Sequence, residues 1–342
     1  MLYYIKIILK QRLGLCHLIN RFSSLSDQST NIERRIRKLE TILETQSNLI
    51  AKCLLHTEGY QKLVEEGKFK ELEFKVSSQW GDDGIIQYIV SQLKEIPKSF
   101  VEFGVEDYEE SNTRFLLQND NWKGLIIDSS AENIKKIQSH SIYWRYQLNA
   151  VEAFITEENI NSLISQHSDQ GDIGILSIDI DGNDYWIWKA ISVIQPWIVI
   201  VEYNSILGID PSITIPYQED FNRFTAHYSG LYFGASLRAF YELAKEKEYV
   251  FLGTTSNGNN AYFVRSDQLK GSLRSVSLDK GFNLSLSRES RNKDGEKSFI
   301  GEGSRQKLIS DMQFWNIEKQ ELCLFKELST GLSKCSAGNS KT

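Results

Sequence analysis

Cysteine is scarce in this chain, and its cysteines are widely separated. None of Cys16, Cys53, Cys323 and Cys335 forms a CxxC pair or stands beside a histidine. Zinc sites and disulfide scaffolds depend on such groupings. Neither is therefore predicted, and a reducing cytoplasm is the expected compartment.

The chain also lacks an excess of positive charge. Its 39 lysines and arginines face 45 aspartates and glutamates, which gives a formal net charge of -6. Binding of nucleic acid needs a basic face, so we expect no nucleic-acid partner. With 342 residues, 41% of them hydrophobic, the chain can form one sizeable α/β core with appendages.

The apolar N-terminus is too interrupted to cross a bilayer. Lys6, Lys10 and Arg12 break the apolar run, which also lacks the unbroken apolar core and the cleavage site of a signal peptide. Two interpretations remain. The segment is a helix that packs on the protein or on a partner copy, or it is a basic amphipathic helix that makes peripheral contact with the inner membrane surface.

A heptad pattern follows this segment. Its seam positions are seven residues apart and then alternately four and three apart: Leu25, Ile32, Ile36, Leu39, Leu43, Gln46, Ile50 and Cys53. This spacing is typical of a coiled coil. It predicts a homo-oligomer that forms through residues 1–57, with a helix that docks on its own domain as the alternative. Gln46 at a seam position would weaken the assembly but fix its register.

Beyond a polar linker at 58–77, short apolar runs such as Trp144–Leu148 alternate with amphipathic segments over residues 78–268. This alternation predicts an α/β, Rossmann-like fold with a mostly parallel sheet and helices on both faces. The last two runs, Tyr249–Thr254 and Ala261–Arg265, are joined by a segment rich in turn formers. We therefore predict a C-terminal hairpin whose last strand runs antiparallel.

The remaining chain differs in character. Residues 269–328 are predicted to form a C-terminal extension that packs on the α/β domain. Residues 329–342 are polar and small, and a disordered tail is predicted for them.

A first candidate site lies where a predicted strand ends in the acidic turn that follows Gly104. A second strand, Gly124–Asp128, ends in a carboxylate about 24 residues later. Nucleotide-binding α/β domains have this layout, in which the turn lets backbone approach the ligand and the carboxylate takes a ribose hydroxyl pair. The downstream order of elements favours S-adenosylmethionine (SAM) over a dinucleotide. The usual second and third glycines are Glu106 and Tyr108, so a structural turn without ligand is the alternative. Asp128 has an alternative role as a helix N-cap.

A second candidate site is the sequence Ser177–Asp184. Asp179 and Asp181 follow an apolar strand two residues apart, so both carboxylates are expected to point the same way into a crevice. Gly182 is expected to let the chain turn, and Asn183 to stand at the head of the next helix, where it is predicted to contact substrate. Two parallel carboxylates repel each other. A divalent cation or a substrate amine or hydroxyl is therefore expected there, with a purely structural helix cap as the alternative.

Four further residues are candidates. Glu202 and Asn204 end the next apolar strand, at the same crevice edge, and are predicted to contact substrate or, for Glu202, a metal. His227 is the candidate general base because histidine titrates near neutral pH. Arg288 is a candidate for binding an anionic substrate group. A plain surface histidine and a solvated charged stretch are the alternatives for the last two.

Several sequence segments together resemble those of a bacterial family, the FkbM-type class I methyltransferases. The segments that carry the resemblance are Phe100–Gly104, Asn112–Arg114, Trp122–Asp128, Ser177–Tyr185, Val201–Asn204, Gly234–Leu237, Asn259–Val264 and Arg288–Arg291. It extends roughly from Ser78 to Asp311. The resemblance implies SAM-dependent methyl transfer, usually to a hydroxyl, and often in surface-polysaccharide synthesis.

For individual residues, the resemblance implies that Glu102, Gly104 and Asp128 hold the cofactor. It places Asp179, Asp181 and Glu202 opposite the acceptor. The resulting hypothesis is an O-methyltransferase of a sugar or glycan-linked hydroxyl, in which His227, Asp181 or a hydroxyl bound to a metal such as magnesium removes the proton. The alternatives are a catalytically inactive methyltransferase-fold scaffold of a glycan-assembly complex and another nucleotide-using transferase on the same fold.

Overall fold

The computed structural model describes residues 28, 31–32, 34–36, 38–67 and 69–328. The predictions for the N-terminal segment, for Leu25 and for the tail at 329–342 lie outside these residues. Within the described ranges, no helix is both long enough and apolar enough to span a membrane. The chain divides after Thr57 into two compact units.

In the first unit, residues 38–55 form helix α1. The apolar residues of the predicted seam lie on it and on the described helical residues before it. Ile36, Leu39, Leu43 and Ile50 are 48%, 59%, 62% and 68% exposed, respectively. The helix of this unit therefore has an exposed apolar stripe.

The second unit contains the α/β domain. The strands of its main sheet are β1 (Ser99–Phe103), β2 (Lys123–Asp128), β3 (Leu148–Glu152), β4 (Gly171–Ile178), β5 (Ile194–Glu202), β7 (Tyr249–Thr254) and β8 (Asn260–Arg265). A smaller sheet contains β6 (Ile213–Thr214), β9 (Gln313–Asn316) and β10 (Glu321–Leu324).

Helices connect and flank these strands. They are α2 (Glu58–Glu66), α3 (Asp82–Gln92), α4 (Arg114–Asp120), α5 (Ala131–Ser139), α6 (Ser141–Arg145), α7 (Ile160–His167), α8 (Asp184–Ala190), α9 (Arg223–Ala226), α10 (Leu237–Glu246), α11 (Leu278–Gly281), α12 (Glu302–Leu308) and α13 (Phe325–Leu328). Three short 3-10 turns complete the described structure at Phe69–Leu72, Ser205–Leu207 and Ser266–Gln268.

The main sheet has the order β3-β2-β1-β4-β5-β8-β7. Strands β1 to β5 pair in parallel, whereas β8 runs antiparallel to both β5 and β7. The predicted hairpin with its antiparallel last strand is confirmed. The protein has a class I methyltransferase fold, which combines a Rossmann-like parallel sheet with one antiparallel strand near its C-terminal edge.

The core surrounds the central strands because these strands are apolar along their whole length. Every residue of β1 is buried, as are the last six residues of β4, which is typical of a parallel sheet covered by helices on both faces. Trp188 of α8 anchors one face, with its ring 5.2 Å from that of Phe263 and 5.9 Å from that of Tyr249. The buried strands hold their carboxyl ends in fixed register, and the cavity lies at that edge.

The predicted linker at 58–77 is structured and belongs to the second unit. Tyr60, Val64 and Leu72 are buried, and the Tyr60 hydroxyl donates to the Gly84 carbonyl at 3.2 Å. The prediction of a linker was wrong because charged residues outnumber the apolar ones in this segment and make it look polar. The apolar residues are sufficient to pack on the domain but do not form a recognisable period.

The C-terminal residues form a second apolar cluster beside the main sheet. Strand β9 pairs with the short strand β6, and Phe314 of β9 is buried with Ile309 and Phe325. The loop residues Leu231 and Phe233 belong to the same cluster. Residues 269–328 thus pack on the α/β domain and hold the loop that borders the cavity.

Candidate functional site

A cavity of about 450 Å³ opens at the carboxyl ends of β1, β2, β4 and β5, and this volume is typical of small-molecule sites. Most of the charged side chains in its lining are carboxylates: Glu102, Glu106, Glu110, Asp128, Asp179, Asp181, Glu202 and Glu289. Two guanidinium groups, of Arg223 and Arg305, also line it. Since negative charge prevails, the cavity favours a ligand that carries positive charge.

Glu102 organises the loop after β1. Its carboxylate accepts hydrogen bonds from Ser111 Oγ at 2.6 Å, from Asn112 N at 2.9 Å and from the hydroxyl of Thr113. Burial raises the pKa of Glu102, which is 4% exposed, although these hydrogen bonds oppose the rise. This carboxylate therefore shapes the loop that borders the cavity.

The turn after β1 has positive φ angles at three residues, of which only one is glycine. Gly104 has a φ of 72°, and a Cβ there would lie 1.6 Å from the Asp179 carbonyl oxygen, so only glycine fits. Glu106 and Tyr108 have φ values of 48° and 63°, a left-handed conformation that side chains rarely adopt.

The two side chains in place of the glycines have different surroundings. The Tyr108 ring is fully buried, and its hydroxyl lies 3.0 Å from Thr113 Oγ1. Glu106 lines the cavity. Partial burial raises the pKa of Glu106, as do the neighbouring carboxylates of Asp107 and Asp128. The turn thus adds a negative group to the cavity.

Asp128 links the end of β2 to the turn after β1, the two elements of the predicted nucleotide site. Its Oδ2 accepts from Glu106 N at 2.9 Å, and its Oδ1 accepts from Ser130 N at 2.8 Å. The N-cap of α5 is Ser130, whose hydroxyl accepts from Asn133 N. Asp128 is therefore not the N-cap. It lies at the end of β2 on the cavity wall.

Asp179, Asp181 and Glu202 form the acidic centre of the cavity. One carboxylate oxygen from each lies within 4.8 Å of the others. Burial raises the pKa values of Asp179 and Glu202 well above their usual range. The charge of Asp181 adds to the rise at both residues, and the charge of Asp179 adds to it at Glu202, whereas a hydrogen bond with Glu202 opposes it at Asp179. The predicted convergence of the two strand ends is therefore found, with Glu202 as the third member.

The turn that carries these aspartates differs from the prediction at Gly182. The left-handed residue is Asp181, with a φ of 56°. Gly182 is needed because a Cβ there would lie 2.4 Å from the Phe221 ring. The Asp184 carboxylate accepts from Ile180 N and Gly182 N, both at 2.9 Å, and so holds the turn in place.

Arg223 is a site residue that the sequence analysis missed. Its guanidinium pairs with Asp181, donates to the Gly230 carbonyl at 2.9 Å and stacks 4.1 Å from the Phe233 ring centroid. Burial acts to lower its pKa, but the Asp181 and Glu202 carboxylates raise it overall. No motif points to Arg223, because helix α8 and strands β5 and β6 separate it from Asp181 in the chain.

Other predicted residues have different surroundings. His227 is not in the cavity lining; its Nδ1 lies 2.7 Å from Ser229 Oγ, and burial lowers its pKa. Arg288 is exposed and also outside the lining, which Arg305 joins instead. Asn204 lines the cavity, but its amide donates to the Leu231 and Phe233 carbonyls, each at 3.0 Å, and so supports the bordering loop.

No protein-family model matches this chain, and no curated protein matches it. Solved structures align with it at low similarity. An O-methyltransferase from Bacillus cereus in complex with S-adenosylhomocysteine (SAH) has 12% identity and a TM-score of 0.36, over 60% of this chain and 87% of its own. A putative caffeoyl-CoA O-methyltransferase from Staphylococcus aureus has 12% identity and a TM-score of 0.35, over 65% and 99%. The fold assignment rests on the strand order and the antiparallel β8.

Proposed function

We propose that this protein is a SAM-dependent methyltransferase that transfers a methyl group to a hydroxyl of its acceptor. The observation that carries the proposal is the position of Asp128, at the end of β2 and bonded to the left-handed turn after β1. In a nucleotide-binding α/β sheet, this position takes the ribose hydroxyls.

The residues of the cavity fit this cofactor. Asp128 Oδ2 accepts one hydrogen bond, from Glu106 N, and a carboxylate oxygen can accept two, so it can also accept from a ribose hydroxyl. The prevailing negative charge suits a ligand with a sulfonium and an ammonium group. Asp128 and the turn that follows Gly104 would therefore hold the cofactor.

The cofactor, when bound, supplies an activated methyl group. The chain itself must align the acceptor oxygen and take its proton. The pair Asp179 and Glu202 suits the second task, since its raised pKa values make either carboxylate a stronger base than an exposed one. This assignment replaces the predicted base His227, which lies outside the cavity lining.

A sugar or glycan-linked hydroxyl is the proposed acceptor. Beside its carboxylates, the lining of the cavity includes the apolar rings of Phe221 and Phe233 and the polar residues Ser285 and Ser287. Such a lining suits a ring with several hydroxyls. The FkbM-type resemblance of Ser177–Tyr185 supports the same class of acceptor and a place in surface-polysaccharide synthesis.

One observation favours the inactive scaffold. Glu106 places a charged side chain on the cavity wall at a position where the family has glycine. Substitution of Asp179 and Asp181 by asparagine separates the two functions. An enzyme would lose turnover and stay folded, whereas a scaffold would change at most in stability.

The test is calorimetric titration of the full chain with SAM and with SAH. We expect saturable binding at micromolar concentration and a loss of at least about tenfold in affinity, roughly 1.4 kcal/mol, in Asp128→Ala. Glu132→Ala is the matched control, because Glu132 lies four residues away on the exposed side of α5. Absence of binding by the unmodified chain would exclude the methyltransferase proposal and leave the scaffold.

A further inference from the structure

We propose that Asp179, Asp181, Glu202 and Asn183 form a binding site for one divalent cation of the Mg²⁺ or Mn²⁺ type. All four residues line the same cavity. Cation binding itself is independent of the proposed methyl transfer, whereas the role of the cation described below rests on it.

The positions of the carboxylates suit such an ion. Mg²⁺ prefers oxygen ligands at about 2.0–2.1 Å, so oxygens on opposite sides of one ion lie about 4.2 Å apart. The three carboxylate oxygens lie within 4.8 Å of one another. Small side-chain rotations would therefore bring them to coordination distance.

The charge of the cluster also matches a divalent cation. When ionised, the three carboxylates carry three negative charges, of which the Arg223 guanidinium neutralises one. Arg223 pairs with Oδ1 of Asp181, which leaves Oδ2 to face an ion. One divalent cation would neutralise the two charges that remain.

Two buried oxygens of this group lack hydrogen bonds, and this observation is independent of the cluster geometry. Asn183 is 4% exposed, and its Nδ2 donates to the Gln218 carbonyl at 2.8 Å. Its Oδ1 has no hydrogen-bond partner among the described residues, and neither has Oε2 of Glu202. A buried acceptor without a partner is destabilising. A cation between these oxygens would satisfy both.

In the proposed reaction, the cation would bind the acceptor hydroxyl. A bound divalent cation lowers the pKa of an oxygen that it contacts, which eases loss of the hydroxyl proton. Because Asp179 and Glu202 would then be ligands of the cation, the proton would pass to a lining carboxylate outside the ligand set. This role predicts that acceptors able to place a hydroxyl near Asp181 are preferred.

The experiment measures Mn²⁺ binding to the full chain without SAM, from the electron paramagnetic resonance signal of free Mn²⁺. We expect one ion per chain, displaced by Mg²⁺, and at least tenfold weaker binding in Asp181→Asn and in Glu202→Gln. Asp220→Asn is the matched control, since Asp220 is exposed and outside the cavity lining. Asn183→Leu should also weaken binding.

The outcomes are distinct from those of the SAM titration. Equal binding by Asp181→Asn, Glu202→Gln and the unmodified chain would overturn the cation site, because the bound ion would then be adventitious. Circular dichroism identifies any variant that fails to fold, and the remaining variants decide. Titration with SAM in the presence of EDTA tests the cofactor site separately, so either proposal can fail alone.

A second inference concerns the first unit. We infer that the exposed stripe of residues 32–53 pairs with a second copy of this chain as a parallel coiled coil. The heptad spacing puts Ile36, Leu43 and Ile50 at a positions and Ile32, Leu39 and Cys53 at d positions. The apolar members of this set are 48–68% exposed, and such residues bury themselves by pairing.

Charge complementarity indicates that the partner helix belongs to a second copy of this chain and runs parallel to the first. Arg35 and Glu40 occupy g and e positions five residues apart, and both are exposed. In a parallel dimer, each Arg35 lies opposite Glu40 of the other copy, so two attractive pairs form. An antiparallel pairing would separate the two copies of Cys53, whereas a parallel one brings them together at a d position.

Oxidation of the full chain with a mild thiol oxidant tests this pairing. We expect a covalent dimer on a non-reducing gel, lost in Cys53→Ser and retained in the control Cys323→Ser. Sedimentation should give a dimer that Leu43→Asp dissociates. A monomer by sedimentation would overturn the inference. So would cross-linking that persists in Cys53→Ser when Cys16 and Cys335 are also replaced by serine.

Discussion

At the scale of single residues, the turn after β1 has a backbone conformation typical of glycine at two positions that are not glycine. Glu106 and Tyr108 both adopt positive φ, although neither is glycine. The hydrogen bonds of Glu106 N to Asp128 and of the Tyr108 hydroxyl to Thr113 hold the turn in this conformation. The surrounding structure therefore imposes a backbone that the local sequence disfavours.

Glu106→Gly should stabilise the protein. The left-handed conformation costs a non-glycine residue about 1–2 kcal/mol, and the added flexibility of glycine in the unfolded chain offsets roughly 0.5–1 kcal/mol of the gain. We expect a net increase of about 0.5–1 kcal/mol in the free energy of unfolding, measured in urea.

The control for this prediction is Glu106→Ala, which removes the charge but keeps a Cβ. It should give a much smaller increase than Glu106→Gly. Equal stabilisation by both variants would show that charge repulsion with Asp107 and Asp128, and not backbone strain, is the cause.

At the scale of elements, the alternation of strands and helices was predictable because buried parallel strands are continuous apolar runs. The run Trp144–Leu148 was the exception, since this region forms the end of α6 and only the first residue of β3. Trp144 is 71% exposed. Apolar character alone therefore does not separate an exposed helical tryptophan from a strand.

Leu72→Ala tests whether the segment at 58–77 is part of the folded domain. Leu72 is 1% exposed, and truncation of a buried leucine costs about 2–5 kcal/mol. We expect a loss of about 3 kcal/mol in the free energy of unfolding in urea. A linker residue would give no loss.

The control is Leu286→Ala, at a leucine that is 75% exposed. Its effect should stay within about 0.5 kcal/mol. If both variants behave alike, the segment contributes nothing to the stability of the second unit.

At the scale of the whole molecule, the cavity depends on residues that are far apart in the chain. Asp181 and Arg223 are 42 residues apart. Arg305, farther still along the chain, reaches the same cavity from α12. The second apolar cluster, which joins Phe314 of β9 to Leu231 and Phe233, positions the loop that borders the cavity.

The sequence alone determined the alternating α/β pattern, the antiparallel hairpin and the acidic strand ends, because these follow from local periodicity and from residues close in the chain. It also placed Asp179, Asp181 and Glu202 at one edge, since parallel strands end together. Only the tertiary structure decided that Glu102 is engaged by its own loop, that His227 stays outside the cavity lining and that Arg223 pairs with Asp181. These outcomes depend on the register of distant strands and on the conformation of the loops between them. No local sequence pattern encodes either property.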